Sequence, residues 1–375
     1  MAYPPIIEEF VELVQIPTHS RQERLIADVL TRKLLSLGLE VTEDRVGEVI
    51  GGNAGNLIAR WPGDAAIPAL LFSAHMDRVA NPGKIVPLVK PEDDQIVSEG
   101  DTILAADDVS GIVAILDGIR RVTREKAPHG DVEIVFSVAE EVGLLGVRHM
   151  DMSRLKSQIA YVLDSGGTLG TLVNRAPTQY TYTIVIEGRA SHAGMSPEKG
   201  LNAINVAAVA IGRLPEGRVS PLTTGNIGLI EGGEATNIVC DRVTLIGEAR
   251  SHDSVELDFY LGLIQRVFRE ACQERGAGLK IDFNLEYAAF HVPTGEPVLT
   301  LATEVFAAMG IRSEIVSSGG GQDGNYFNER GIKAVGLATD YDHVHTREET
   351  QRITSLVKCG EVVAELIKAR AREKA

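Results

Sequence analysis

The sequence predicts an α/β fold: a mostly parallel sheet carrying one inserted ferredoxin-like sandwich. Three observations predict it. Short apolar runs bounded by Gly and Pro alternate with segments of helical spacing before residue 176, and again after residue 290. Between those points the texture changes to alternating strands and two helical patterns, in the order β-α-β-β-α-β. The chain's 375 residues are also more than one ordinary domain needs, at roughly 100–200 residues each. The expected domains are 1–176 with 290–375, a discontinuous unit, and 177–289, the insertion.

The elements follow in order. Residues 6–14 and 20–37 have helical spacing. Ser20 with Glu23 reads as a capping box ahead of the apolar face Ile26, Leu30, Leu34 and Leu37. Residues 69–73, 132–138 and 159–163 read as buried strands. Val109, Ile112, Val113, Leu116 and Ile119 mark a helix over 109–123. In the insertion, 180–187 alternates like a half-exposed strand and 201–214 is an Ala-rich helix. Strands follow at 225–230 and 242–249, then a long helix over 255–274 and a strand at 279–286. After 290 come a helix over 296–309, a Gly-rich loop at 318–324, a strand at 333–339 and a helix over 353–372.

Apolar residues make up 44% and charged residues 24%, a globular mix that excludes disordered and fibrous classes. Asp plus Glu outnumber Lys plus Arg by 52 to 37, a formal net charge of −15. Such a chain repels a phosphate backbone and an anionic membrane surface, so neither nucleic acid nor membrane is an expected partner. No run approaches the ~20 apolar residues of a membrane span. Cys240, Cys272 and Cys359 are far apart, odd in number and outside any C-x-x-C pair. They are expected as buried thiols in a reducing compartment. Met1–Pro5 has no basic, apolar leader, and the expected location is the cytoplasm.

The chemistry-bearing residues fall at strand ends. His75 and Asp77 follow one buried strand, Glu140-Glu141 end the next, and Asp164 ends a third. Asp107-Asp108 open a helix. Ligands of α/β sheets bind outside the carboxyl ends of the strands. Five or six carboxylates gathered there need a cation, or they neutralise themselves by shifting pKa. A His, Asp and Glu set without Cys suits zinc, manganese or cobalt at a hydrolytic site, and this many ligands suit two metals sharing a carboxylate.

The order H-x-D, A-D-D, E-E-x-G, D-x-G-G resembles the di-zinc metallopeptidase family of peptidase T, carboxypeptidase G and succinyl-diaminopimelate desuccinylase. The likeness continues in His192-Ala193-Gly194, Gly321-Gln322-Asp323 and His345, and Thr102–Gly111 and Gly188–Ala203 look most like peptidase T. The resemblance implies a mixed-sheet zinc-peptidase catalytic domain with an inserted lid or dimerisation domain. It implies two divalent ions, zinc first, with cobalt or manganese as alternatives. His75, Asp107 and Asp164 would hold one, Asp107, Glu141 and His345 the other. Asp77 would orient His75. Glu140 would be the general base toward a water held by both metals. His192 would stabilise the oxyanion, often across a homodimer, and Asn237 and Arg250 would touch substrate. His345 is preferred to His343 because Glu349 completes H-x-x-x-E. On a strand the two histidines would share a face. Departures from the family pattern are Arg78, Ala105-Ala106 and Ala139.

The expected activity is hydrolysis of short peptides by an aminopeptidase or tripeptidase, with N-acyl amino acid deacylase as the alternative. A nucleotide-binding reading of Ser318–Gly324 lacks the Lys-Ser/Thr of a P-loop. An inactive metal-binding homologue is disfavoured by the intact Glu140.

Overall fold

The computed structural model describes residues 3–80 and 83–373. The chain divides into two compact units, one made of the residues up to Ala176 together with those from Phe290 on, the other Pro177–Ala289.

The core of the first unit, among the described residues, is a nine-stranded mixed sheet. Its centre is four mutually parallel strands in the order Val132–Ser137, Leu70–His75, Ile159–Val162 and Lys333–Leu337. The first three are buried at every residue, as expected of parallel strands covered on both faces. Antiparallel strands flank them: Leu57–Trp61 with Glu40–Glu43 on one side, Thr171–Ala176 with Phe290–His291 on the other. Glu314–Ser317 pairs with Thr171–Ala176 in parallel. Because the central strands are parallel, the chain leaves all of them at one edge. That edge carries His75, Glu140, Glu141 and Asp164. Ala176 and Phe290, the points where the chain leaves and re-enters this unit, face each other in one antiparallel ladder.

Two long helices, Ala106–Glu125 and Ile353–Arg370, pack against each other, and glycines let them approach. A Cβ at Gly118 would lie 2.4 Å from Val363 Cγ1, and one at Gly360 2.2 Å from Asp117 Oδ2. A separate four-stranded antiparallel sheet orders Tyr341–Asp342, Thr350–Arg352, Gln95–Ser98 and Pro87–Lys90. Its first two strands bracket the turn that carries His343 and His345. The expected shared strand face for this pair is therefore corrected: both residues have left-handed backbones, φ +55° and +62°.

A second correction concerns the N-terminal helices. The second runs Arg24–Ser36, and Ser20 and Glu23 form no capping box. Ser20 Oγ donates to Asp77 Oδ2 at 2.6 Å, and Glu23 Oε1 accepts from the Arg21 and Ala139 N–H groups at 2.7 and 3.0 Å. Ser20 thus serves a distant loop, and Glu23 serves both its own turn and a distant one.

The second unit is one antiparallel sheet under two helices, Ala203–Ile211 and Ser254–Arg275. Its long strands lie in the order Thr223–Gly232, Arg242–Ser251, Thr178–Glu187, Gly278–Tyr287. Counted along the chain that is 2-3-1-4, the ferredoxin-like arrangement. All three cysteines are free and buried. Among the described residues no helix is long and apolar enough to cross a membrane.

Candidate metal centre

Asp107 lies at the middle of the cluster. One of its oxygens is 3.0 Å from His75 Nε2, and the other is 3.2 Å from His345 Nε2. His345 Nε2 is also 3.1 Å from Glu141 Oε1, and His75 Nε2 is 3.9 Å from Asp164 Oδ1. Potential ligand atoms of His75, Asp107 and Glu141 lie within 4.8 Å of one another, as do those of His75, Glu140 and Asp164. The His75 ring is fully enclosed, whereas the side chain of His345 is 47% exposed.

The His75 tautomer is fixed locally. Nδ1 lies 2.9 Å from the Asp77 backbone carbonyl, which can only accept, so Nδ1 carries a hydrogen and Nε2 is the nitrogen left to face Asp107 or a cation. The Asp77 carboxylate is further from Nδ1, at 3.6 Å. Its oxygens accept from the Glu140 and Glu141 N–H groups at 2.9 and 3.3 Å. Asp77 thus holds His75 through its backbone and the two glutamates through its side chain.

Asp107 and its neighbour divide two tasks. The backbone at both is non-helical, and the peptide between them is cis. Asp108 is the helix cap, accepting the Gly111 N–H at 3.1 Å through Oδ1, while its Oδ2 accepts the His75 N–H at 3.1 Å. Asp107 is left to face the histidines. Gly111 is obligatory here, since a Cβ would sit 2.5 Å from Asp108 Oδ1 and 2.6 Å from the Leu163 carbonyl. Ala105, at φ +62°, occupies the left-handed position before this pair.

The cluster crowds its own charge. Burial, then the Asp107 charge, push Asp164 up to about 8. Burial and the Asp164 charge raise Glu140 well above the usual carboxylate range. Burial works against charge on Asp107 too, yet hydrogen bonds from His345 and His75 hold it far below that range. Hydrogen bonds that His345 donates to Asp107 and Glu141 raise it to about 10. Burial opposes charge on His75, but Asp107 and Asp77 outweigh it and raise its pKa. A set of nitrogen and oxygen donors that draws positive charge to both histidines, with no thiolate, fits hard or borderline divalent cations.

Several supporting residues surround the cluster. Glu349 is buried and accepts N–H groups from Leu104, Ala105 and Asp107. Tyr341 OH donates to Asp164 Oδ1 at 3.2 Å. Ser137 Oγ donates to Asp323 Oδ2 at 2.5 Å, and burial pushes Asp323 up to about 6. Thr18 Oγ1 donates to the Met76 carbonyl at 2.5 Å, so Thr18, Ser20 and Glu23 together tie the His75 loop to the Glu140 loop. Arg78 is 4% exposed, and its Nη1 donates to the Val14 carbonyl at the C-terminus of the first helix. A cavity of about 360 Å³ opens beside His345, lined by Ala80, Asp101, Ile103, Thr346, Arg347 and Glu348.

In the second unit, His192 and Asn237 are neighbours: the Ala193 N–H donates to the Asn237 carbonyl at 2.9 Å. His192 Nδ1 accepts the N–H groups of Gly194 and Met195, both at 3.2 Å, so the neutral ring carries its hydrogen on Nε2. Arg250 forms a fork with Glu248, both bonds at 2.9 Å, and also reaches Tyr287.

An aminopeptidase PepT from Bacillus cereus ATCC 10987 is 38% identical to this chain, covers 98% of each chain and superposes with a TM-score of 0.88. An uncharacterized Bacillus subtilis (strain 168) protein, YqjE, is also 38% identical, over 98% of both chains. The chain belongs to the metallopeptidase family of peptidase T. A tripeptidase from Staphylococcus aureus subsp. aureus Mu50 has a TM-score of 0.93 at 36% identity, with 98% of each chain covered. The model for Peptidase family M28 matches residues 56–178, which include the strand-end cluster, and the Peptidase dimerisation domain matches residues 179–275. The metallopeptidase resemblance read from the motifs is borne out, and the enzyme is a hydrolase of peptide bonds.

Proposed function

We propose that this metallopeptidase removes residues from short peptides with a free α-amino end, as an aminopeptidase or tripeptidase, and works with two divalent ions, zinc first. The observation that carries the two-metal reading is Asp107, whose two oxygens face one histidine each. His75, Asp107 and Asp164 would hold one ion, and Asp107, Glu141 and His345 the other. When bound, such a pair lowers the pKa of water and polarises the scissile carbonyl. The likeness to PepT and to a tripeptidase supports the substrate class.

The protein's own groups do the rest. Glu140 takes the proton from the attacking water and delivers it to the leaving amine. Its burial raises its pKa, the direction a group that must also act as an acid needs. Asp77 keeps Glu140 and Glu141 in place through their N–H groups. His192 donates its Nε2–H to the substrate carbonyl oxygen as negative charge develops. Asn237 and Arg250 contact substrate. The acidic cluster favours a cationic amino terminus nearby.

The assembly is a homodimer through the second unit. The dimerisation-domain match supports this, as do the exposed Leu229 and Ile230 on the edge of its sheet. Sedimentation reads it directly, and a monomer removes it. The three buried thiols support a cytoplasmic setting.

The test is a substrate panel on metal-loaded protein: tripeptides, dipeptides with free and blocked amino ends, and N-acyl amino acids. Cleavage of free-amino peptides, lost on chelation and restored by zinc, is expected. Cleavage of N-acyl amino acids with none of tripeptides moves the enzyme to the deacylases. Activity that survives full metal removal overturns the metal reading.

A further inference from the structure

One carboxylate outside the proposed ligand set joins the two turns that carry Asp107 and His345. Glu349 is 1% exposed. Its Oε2 accepts the N–H groups of Leu104 and Ala105 at 2.7 and 2.8 Å, and its Oε1 accepts that of Asp107 at 3.1 Å. These donors precede the regular part of helix Ala106–Glu125, where backbone N–H groups have no intrahelical acceptor. Left-handed Ala105 and the non-helical backbone at Asp107 and Asp108 turn the three toward one point. Glu349 is itself anchored, because the next residue, Thr350, enters the antiparallel ladder opposite Val97. Its N–H donates to the Thr346 carbonyl at 3.3 Å, and Thr346 in turn bonds the His343 carbonyl, which closes the turn that presents His345.

We infer that Glu349 is a positioning residue that sets the spacing between Asp107 and His345, and so shapes the second metal position, where both are ligands, more than the first, where Asp107 alone is shared. The inference rests on the two-metal reading above. The chemistry is specific to a carboxylate. Both oxygens are acceptors, and three charge-assisted bonds use both. A carboxamide has one acceptor oxygen, and its NH₂ must face at least one backbone N–H, leaving a buried donor unpaired. The Asp107 turn would then shift relative to His345. His75 ends one strand and Asp164 follows another, and no hydrogen bond joins Glu349 to either.

The experiment measures zinc binding by calorimetry on chelator-stripped wild type and Glu349→Gln, with thermal unfolding of both stripped proteins in parallel. Wild type is expected to take up two equivalents. Glu349→Gln should weaken the first, which shares Asp107, by less than threefold and bind the second at least tenfold more weakly. At saturating zinc, its kcat should fall at least tenfold while the KM for a tripeptide stays within twofold. Two equivalents at wild-type affinity in the variant overturn the inference. So does equal weakening of both with a lowered unfolding temperature, which would make Glu349 a general stabiliser. A wild type that takes up one equivalent overturns the two-metal reading itself, and the inference with it. Should Glu349→Gln not fold, Glu349→Asp, which keeps both oxygens one methylene short, should lose at least threefold more at the second position than at the first, and unchanged binding at the second overturns the inference.

Discussion

Glu140 and Glu141 are adjacent in the chain and differ in what surrounds them. Glu141 lies 3.1 Å from His345, while Glu140 groups with His75 and Asp164. Asp77 fixes both backbones, so their side chains leave one rigid turn in different directions. Glu140→Gln keeps shape and removes the proton acceptor. It should retain both zinc equivalents and lose about 10²–10⁴-fold in kcat. Metal analysis and steady-state kinetics on one sample check this, and a variant that loses metal yet turns over when reconstituted reverses the two roles. The strand-end residues His75, Glu140, Glu141 and Asp164 are legible in the sequence because each acid or histidine ends an apolar run, and parallel strands share one carboxyl edge. Ser20 and Glu23 are not legible as supports of the site. Their spacing satisfies a helix cap equally well, and only tertiary structure sends Ser20 to Asp77 and Glu23 to Ala139. Asp107 and Asp108 are a middle case. Both the cap and the cation-facing carboxylate are present, on successive residues.

At the scale of elements, long periodic segments are legible and short strands are not. The helices over 106–125, 254–275 and 353–370 carry enough turns for their apolar stripe to stand out. Glu40–Glu43, Gln95–Ser98 and Thr350–Arg352 are three or four residues long, and the last two pair with each other across most of the chain. The turn that carries His345 depends on those short strands, which is why its conformation is not read from spacing alone. The close pair of long helices sets the height of Asp107 at the sheet edge. Gly118→Ala should test that packing. Ala is the better helix former by about 1 kcal/mol. The new methyl, however, meets Val363 at 2.4 Å and the Ala364 backbone nitrogen at 3.2 Å, so the helices must part. Overpacking of this kind costs about 1–3 kcal/mol. The expected net loss is up to about 2 kcal/mol, read as a lower denaturant midpoint at unchanged slope, with zinc stoichiometry intact. A midpoint at or above wild type would show that the pair has room to spare.

For the whole molecule, the insertion is visible in the sequence because its alternation and Ala-rich helix differ from the apolar runs around it. What sequence does not show is how the chain makes the detour. Ala176 and Phe290 sit opposite each other in one ladder, so the 177–289 segment begins and ends at what is geometrically a hairpin. The host ladder closes directly across the detour, Phe290 opposite Ala176 and His291 opposite Arg175. Replacing 177–289 with an Asn-Gly turn, the two-residue connection that antiparallel strands favour, should give a soluble protein that binds zinc as wild type does. It should cleave no peptide, having lost His192. Circular dichroism and zinc calorimetry check the first part, and an insoluble or metal-free product would show that the two units need each other to fold. In evolutionary terms the ladder is a socket. A different cassette could plug in between Ala176 and Phe290 without moving the strands that carry His75 and lead to Asp164.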